Sequence, residues 1–170
     1  ADDEDGFALL PLFLSVRATV RAHVLAAAGD VDDSRAYLDL ALSLLEPQPP
    51  RIVAIGGGSG TGKSTRARSW GGDLGVAPGA RILRSDVLRK RLAGVPTLTR
   101  LPASAYTPQM SARVYAELGR LAAADLAGGM SVIADAVFGS DEERDDIAAV
   151  AATSSAEFTG IWLELDEQTR

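Results

Sequence analysis

We predict an α/β fold with a mostly parallel sheet for residues 51–170, because short apolar segments alternate there with helical patterns. The strand candidates are residues 51–56, 80–84, 131–137 and 159–165. The helix candidates are residues 62–70, 86–93, 108–127 and 140–152. The third of these helices has a clear start, since Thr107 suits the N-cap and Pro108 the first helical position. A glycine cluster follows the first strand candidate and marks a place where the backbone itself has a role.

Two helical patterns precede the α/β segment. The first covers residues 7–28 and ends at Gly29, and its apolar stripe has helical spacing: Leu9, Phe13, Val16, Val20 and Val24. The second covers residues 33–46, and its apolar face consists of Tyr37, Leu38, Ala41, Leu44 and Leu45. Residues 47–50 carry three prolines and predict a short, stiff linker. Two such helices cannot bury both apolar faces alone, so we expect a further partner for them.

The composition limits the class of protein. The chain has 170 residues, of which 46% are hydrophobic, and this suffices for one domain with a sizeable core. Its net charge of -6 argues against a dedicated nucleic-acid-binding protein, which normally carries a basic surface. The absence of cysteine excludes disulfides and thiolate metal sites. We expect the single histidine, His23, to be a surface or packing residue, and Trp70 and Trp162 to lie in the core.

The sequence predicts neither a membrane span nor a secretory signal. The N-terminus is acidic, whereas a secretory signal begins with positive charge. The apolar residues 7–16 are followed by Arg17 and Arg21, and they are fewer than the roughly 20 that a span requires. We therefore expect a cytoplasmic protein without a membrane partner.

The glycine cluster fits the pattern G-x-x-x-x-G-K-[ST] between an apolar strand and a helix, which is the context that this motif requires. Its members are Gly57, Gly58, Ser59, Gly60, Thr61, Gly62, Lys63 and Ser64, followed by Thr65. Backbone N–H groups of such a loop surround nucleotide phosphates, and the helix start adds its positive dipole end. We expect a solvated Lys63 to reach the β- and γ-phosphates and the Ser64 hydroxyl to bind Mg²⁺. The alternative is an ordinary glycine-rich turn.

Asp86 lies where the second strand candidate ends and a helix begins, which is the edge of the active crevice in a parallel α/β sheet. Its carboxylate could accept the proton of an attacking hydroxyl. Arg89 follows three residues later on the same helix face. Alternatively, Asp86 or Ser85 caps the helix. The residues alone do not decide between these two interpretations.

Three segments together resemble the AAA-type P-loop kinases related to polynucleotide kinase, zeta-type toxins and small-molecule phosphotransferases: GGGSGTGKST, LRSDVLRKRLAGV and VIADAVFGSDEER. The upstream segments FLSVRATVRAHVLA and RAYLDLALSLLEPQPPRIVAIGG resemble a bacterial fusion in which an aminoglycoside-phosphotransferase-like kinase domain precedes the P-loop domain. This resemblance implies that residues 1–46 are the helical tail of an upstream domain. Residues 51–170 would then be the P-loop kinase domain, without its C-terminal lid and fifth strand, and Arg170 would start the lid.

The resemblance also implies roles for individual side chains. Asp86 would be the general base, and Arg89 would hold the acceptor or the transferring phosphoryl group together with Lys63. Asp135 would bind Mg²⁺ through water or orient the acceptor, and Arg144 would be a secondary anion contact. Alternatively, Asp135 only satisfies loop N–H groups. For Arg144 we favour the interpretation that it balances the acidic residues around it.

The predicted reaction is transfer of the γ-phosphoryl group of ATP to a hydroxyl with Mg²⁺. The alternatives are a regulatory module that hydrolyses ATP slowly and controls the attached kinase-like domain, and a nucleic-acid 5′-hydroxyl kinase, which is not favoured.

The segment from residue 81 to residue 100 is strongly basic, and Asp86 is its one acidic residue. Its basic residues are Arg81, Arg84, Arg89, Lys90, Arg91 and Arg100. Because such a field attracts anions, we expect a neutral or anionic acceptor. The sequence does not decide between ATP and GTP.

Overall fold

The computed structural model describes residues 6–164, in which four parallel strands form one sheet. The strands are β1 (Arg51–Gly57), β2 (Arg81–Arg84), β3 (Val132–Asp135) and β4 (Glu157–Leu163). Their order in the sheet is β2-β3-β1-β4, and every neighbouring pair is parallel. The predicted α/β fold with a parallel sheet is confirmed.

The helices of the described residues follow the predicted order closely. They are α1 (Leu10–Ala28), α2 (Val31–Ser43), α3 (Lys63–Gly71), α4 (Ser85–Leu92), α5 (Pro108–Ala127) and α6 (Asp141–Thr153). Gly29 ends α1 with a φ of 88°. Thr107 caps α5, because its side chain accepts a hydrogen bond from the Met110 N–H at 3.2 Å.

The core lies on both faces of the sheet, as a parallel sheet requires. On one face, Leu88 of α4, Leu118 of α5 and Ile147 of α6 belong to one buried cluster with residues of the strands. On the other face, Ala67 of α3 packs against Ile55 and Ile133. These layers fix the carboxyl ends of β1, β2 and β3, from which the candidate site residues project.

Helix α1 packs through a face other than the predicted one, whereas Ala41 and Leu44 of the face predicted for the second helix are buried. The buried residues of α1 are small or polar, and they recur with helical spacing: Pro11, Ser15, Ala18 and Ala22. Ser15 Oγ donates a hydrogen bond to Ala41 O of α2 at 2.8 Å. The large apolar stripe predicted for α1 is instead 48% to 61% exposed. The small residues of α1 pack because small side chains let the two helices approach closely. The expectation that the exposed stripe needs a further partner stays a prediction.

Within the described part of the chain, one helix is long and apolar enough to cross a membrane. It covers Phe7–Ala28 with a mean hydropathy of 1.4. This helix therefore extends past residue 16, the predicted end of the apolar stretch, and includes Arg17 and Arg21. A core helix or a signal sequence passes the same test, and 17% of this window is buried. The cytoplasmic localisation stays a prediction.

Two aromatic side chains lie outside the core, contrary to the sequence-based expectation. Trp70 is 37% exposed and Trp162 is 48% exposed. Each ring lies beside a guanidinium group, at 5.9 Å from Arg66 and 5.8 Å from Arg144 respectively. His23 is exposed, as expected. The predictions about Arg170, a lid and a fifth strand fall outside the described residues.

Candidate active site

The glycine-rich loop connects β1 to α3 and borders an open cleft at the carboxyl edge of the sheet. Gly60 and Gly62 have φ values of 84° and 87°, a left-handed conformation that glycine adopts without steric cost. Gly57 has a φ of 132°, and a Cβ at this position would collide with the carbonyl oxygen of Leu163. The loop takes this path because residue 57 is glycine.

The ammonium group of Lys63 is folded back onto the loop. Its Nζ donates hydrogen bonds to Gly57 O at 2.8 Å and to Gly58 O at 2.5 Å. The expectation of a solvated Lys63 is therefore wrong. These carbonyl oxygens satisfy the partly buried cation, and a phosphate that bound Lys63 would replace them.

Ser64 and Asp135 meet at the sheet edge although they are 71 residues apart in sequence. Ser64 Oγ donates a hydrogen bond to Asp135 Oδ2 at 2.5 Å. The same carboxylate oxygen lies 3.5 Å from Arg84 Nε, because the strand register pairs Arg84 with Asp135. Asp135 is buried, and a buried carboxylate needs such partners.

Asp86 and Arg89 project from the first two turns of α4. No side chain caps this helix, so the interpretation of Asp86 or Ser85 as a cap is wrong. Asp86 Oδ2 lies 2.8 Å from Lys90 Nζ one turn later, and the Asp86 side chain is 45% exposed. Arg89 is buried, and its guanidinium lies 4.8 Å from the centroid of the Tyr106 ring.

One cleft of about 660 Å³ collects most of the predicted residues. The loop residues that line it are Ser59, Gly60, Gly62, Lys63, Ser64 and Thr65, and they are joined by Asp86, Arg89 and Asp135. Gly57, Gly58 and Thr61 shape the loop instead, and Thr61 Oγ1 donates a hydrogen bond to Gly58 O at 2.9 Å. Arg144 lines a different cavity, beside β4.

Comparison with known proteins places this geometry in a family. Residues 52–170 match the AAA domain family. The chain belongs to this family. It is 32% identical over 156 residues to uncharacterized proteins of Mycobacterium tuberculosis and Mycobacterium bovis, and the alignment covers 85% of this chain. The chain spans 30% of the length of these curated relatives.

Solved structures show the fold of this AAA domain. A "putative kinase" from Chloroflexus aurantiacus superposes with a TM-score of 0.56 at 18% identity, covering 69% of this chain and 61% of that one. An APS kinase of Mycobacterium tuberculosis superposes with a TM-score of 0.45 at 23% identity, covering 69% of this chain and 77% of that one. The first superposition shows that the chain shares the α/β fold of the Chloroflexus protein, which agrees with its four parallel strands in one sheet.

In this AAA domain, three side chains fix the loop after β3, namely Tyr115, Phe138 and Arg144. The sequence does not indicate that they contact one another. Phe138 is buried with a φ of 50°, which is uncommon for a residue other than glycine. Its N–H donates to Tyr115 Oη at 3.0 Å, and its carbonyl accepts from Arg144 at 2.7 Å. The neighbouring Val137 carbonyl accepts from the Gly57 N–H at 3.1 Å. Arg144 also pairs with Asp141, which fits the charge-balancing interpretation that we favoured.

The Tyr115 contact predicts a change in stability at alkaline pH. Burial raises the pKa of Tyr115 to about 12 from an ordinary value of 10.0. Because the folded-state pKa is the higher one, the stabilisation is fully present below pH 10 and is lost as the pH rises toward 12. Urea unfolding between pH 9 and 12 is expected to show a smaller loss of stability for Tyr115→Phe than for the unchanged chain. The exposed Tyr37→Phe serves as the control, and equal losses in all three would contradict the prediction.

The basic residues between positions 81 and 100 do not form the open cationic field that the sequence predicted. Arg81 NH1 lies 3.0 Å from Asp125 Oδ1, and Arg91 NH2 lies 2.6 Å from Glu117 Oε1. Both carboxylates project from α5, at sequence separations of 44 and 26 residues. Part of the local charge is therefore neutralised by residues that are distant in sequence.

Proposed function

We propose that this chain is an ATP-dependent phosphotransferase that transfers the γ-phosphoryl group of ATP to a hydroxyl. The observation that supports this proposal is the content of a single cleft. It combines the start of the P-loop helix, the Ser64–Asp135 pair, a carboxylate at Asp86 and a buried guanidinium at Arg89. A P-loop alone would serve any nucleotide hydrolase, whereas a carboxylate in the same cleft suits a hydroxyl acceptor.

In the proposed reaction, the acceptor oxygen forms a bond to the γ-phosphorus. The bond between the γ-phosphorus and the β–γ bridging oxygen breaks, and ADP leaves. The proton of the acceptor hydroxyl passes to Asp86, whose carboxylate is accessible from the cleft. Lys63 would exchange its loop carbonyls for the β- and γ-phosphates, and Arg89 would contact the acceptor or the transferring group.

Ser64 and Asp135 fit a Mg²⁺ ion, which prefers oxygen ligands and is usually held by one or two carboxylates plus substrate phosphates. Among the described residues, no group of three or more histidine, aspartate or glutamate side chains could hold a metal ion. Phosphate oxygens and water would therefore complete the ligand set. When bound, Mg²⁺ would neutralise charge that develops on the phosphates.

We also propose a division of the chain into domains. Residues 1–46 would be the tail of an upstream domain, residues 47–50 a linker, and residues 51–170 the P-loop kinase domain. The exposed apolar stripe of α1 supports this division, because an aliphatic surface of this kind is normally covered. The resemblance to the bacterial fusion makes an aminoglycoside-phosphotransferase-like kinase domain the proposed neighbour.

An acceptor screen with ATP labelled at the γ-phosphate tests the proposed function, and GTP is tested in parallel. The protein is incubated with Mg²⁺ and with sugars, phosphorylated metabolites, aminoglycosides or an oligonucleotide with a 5′-hydroxyl. We expect label on a neutral or anionic small molecule, and none with Lys63→Ala or Asp86→Asn. Label only in free phosphate would favour the regulatory ATPase, and label on the oligonucleotide would favour the nucleic-acid kinase. An aminoglycoside labelled in a manner dependent on Lys63 and Asp86 would contradict the proposed acceptor class.

A further inference from the structure

A second cavity, of about 350 Å³, shares the helix α4 with the nucleotide cleft. Asp86 and Arg89 of α4 line the cleft, whereas Val87 and Arg91 line the cavity. β2 and residues 95–97 complete the cavity wall. Arg84, the last residue of β2, lines both spaces and so lies between them.

The wall of this cavity carries several basic side chains. It contains Arg81, Arg84, Lys90 and Arg91, and none of the described residues that line it is acidic. Each of these cations pairs with a carboxylate that is not part of the lining, and the four carboxylates are Asp125, Asp135, Asp86 and Glu117. These ion pairs hold the basic side chains at fixed positions around the cavity.

Arg84 has a donor that the described residues leave unsatisfied. Its Nε is buried and has no hydrogen-bond partner, because the 3.5 Å contact with Asp135 is an ion pair without hydrogen-bond geometry. Buried donors of native proteins are almost always paired. An oxyanion that approached Arg84 would meet a guanidinium whose hydrogen-bonding capacity is not used up, and guanidinium groups suit carboxylates and phosphates.

The remaining wall of the cavity is largely apolar, with Ile82, Val87, Val95 and Pro96 among its members. We propose that this cavity binds an oxyanion group, a phosphate monoester or a carboxylate, that is attached to an apolar stem. The cationic side chains would bind the oxyanion, and the aliphatic side chains would contact the stem. Resting on the proposed function, this ligand is the far end of the acceptor, whose hydroxyl reaches Asp86 past Arg84.

The pair Arg91 and Arg120 provides a matched test. Both guanidinium groups bind the Glu117 carboxylate, at 2.6 Å and 2.8 Å, but Arg120 is absent from the cavity lining. Hydrogen bonds from Arg120 hold the pKa of Glu117 below its usual range, so the carboxylate stays ionised when Arg91 is replaced. Arg91→Gln and Arg120→Gln therefore each remove an ion pair with Glu117, and only the first changes the cavity lining.

The probes are phenyl phosphate, inorganic phosphate and benzoate, titrated calorimetrically into the full chain with MgADP at saturation to occupy the P-loop. We expect phenyl phosphate or benzoate to bind once per chain, and phenyl phosphate to bind more tightly than inorganic phosphate. Arg91→Gln should weaken this binding about tenfold or more, since it removes a charge-assisted donor, and Arg120→Gln should leave it unchanged. The stronger of the two aromatic probes identifies the oxyanion.

Three results would overturn the proposal. They are the absence of aromatic probe binding, equal weakening by Arg91→Gln and Arg120→Gln, and weakening by Arg89→Gln alone, which would place the probe in the cleft. Failure of MgADP to bind would instead count against the proposed function. In that case the same titrations without nucleotide still test whether the cavity binds the probe, because the Arg91→Gln and Arg120→Gln variants report on the cavity directly.

Discussion

Asp86→Asn is expected to lower the rate of phosphoryl transfer by about 10²–10⁴-fold, the usual contribution of a general base. The amide retains the size of the carboxylate but cannot take the proton of the acceptor. MgATP affinity should stay close to that of the unchanged chain, because the phosphate loop and Asp135 are untouched. Single-turnover transfer to the acceptor found in the screen measures the rate, and equilibrium titration measures the affinity.

Lys90→Gln is the matched control for the stability of the Asp86 variant. It removes the same partly buried ion pair, which at this helical spacing is worth about 0.3–0.5 kcal/mol, together with the hydrogen bond from Lys90 to Thr97 O. We therefore expect both variants to unfold at nearly the same urea concentration as the unchanged chain. If Asp86→Asn lost stability and kept its rate per folded molecule, Asp86 would be a structural residue and not a base.

The parts of the fold that depend on short-range pattern could be predicted from the sequence. β1 and α3 follow from an apolar run, a glycine cluster and a helix start within twenty residues. The predicted third strand was too long, since β3 ends at Asp135. The chain then turns so that Phe138 takes a positive φ, a conformation that an apolar run does not signal.

The parts that depend on distant residues could not be predicted. Charge counting along the chain cannot find Asp125 and Glu117, because only the packing of α5 brings them to the basic segment. The fold-back of Lys63 depends on the loop geometry, which brings the carbonyl oxygens of Gly57 and Gly58 to its ammonium group. Helical spacing predicted α1 correctly but could not tell which of two stripes packs, since Ser15 and its small neighbours recur with the same period.

Lys63→Ala is expected to weaken MgATP binding by about 10²–10⁴-fold, because charge-assisted hydrogen bonds to two phosphates are lost. The domain should remain folded. The substitution removes a partly buried hydrogen bond to Gly57 O and an exposed one to Gly58 O, and we expect it to cost about 1 kcal/mol of stability. Equilibrium titration with ATP and urea unfolding measure the two effects separately.

The chain offers an internal control for this prediction, because Lys63 and Lys90 are its two lysines. An amine-specific label should react with Lys63 more slowly when MgATP is bound. The rate at Lys90 should not change, since Lys90 pairs with Asp86 and donates to Thr97 O at 2.8 Å, away from the phosphate loop. Protection of both lysines would indicate a general closure of the domain rather than phosphate contact at Lys63.

Normal ATP affinity in a folded Lys63→Ala variant would exclude the loop from residue 57 to residue 65 as the phosphate site.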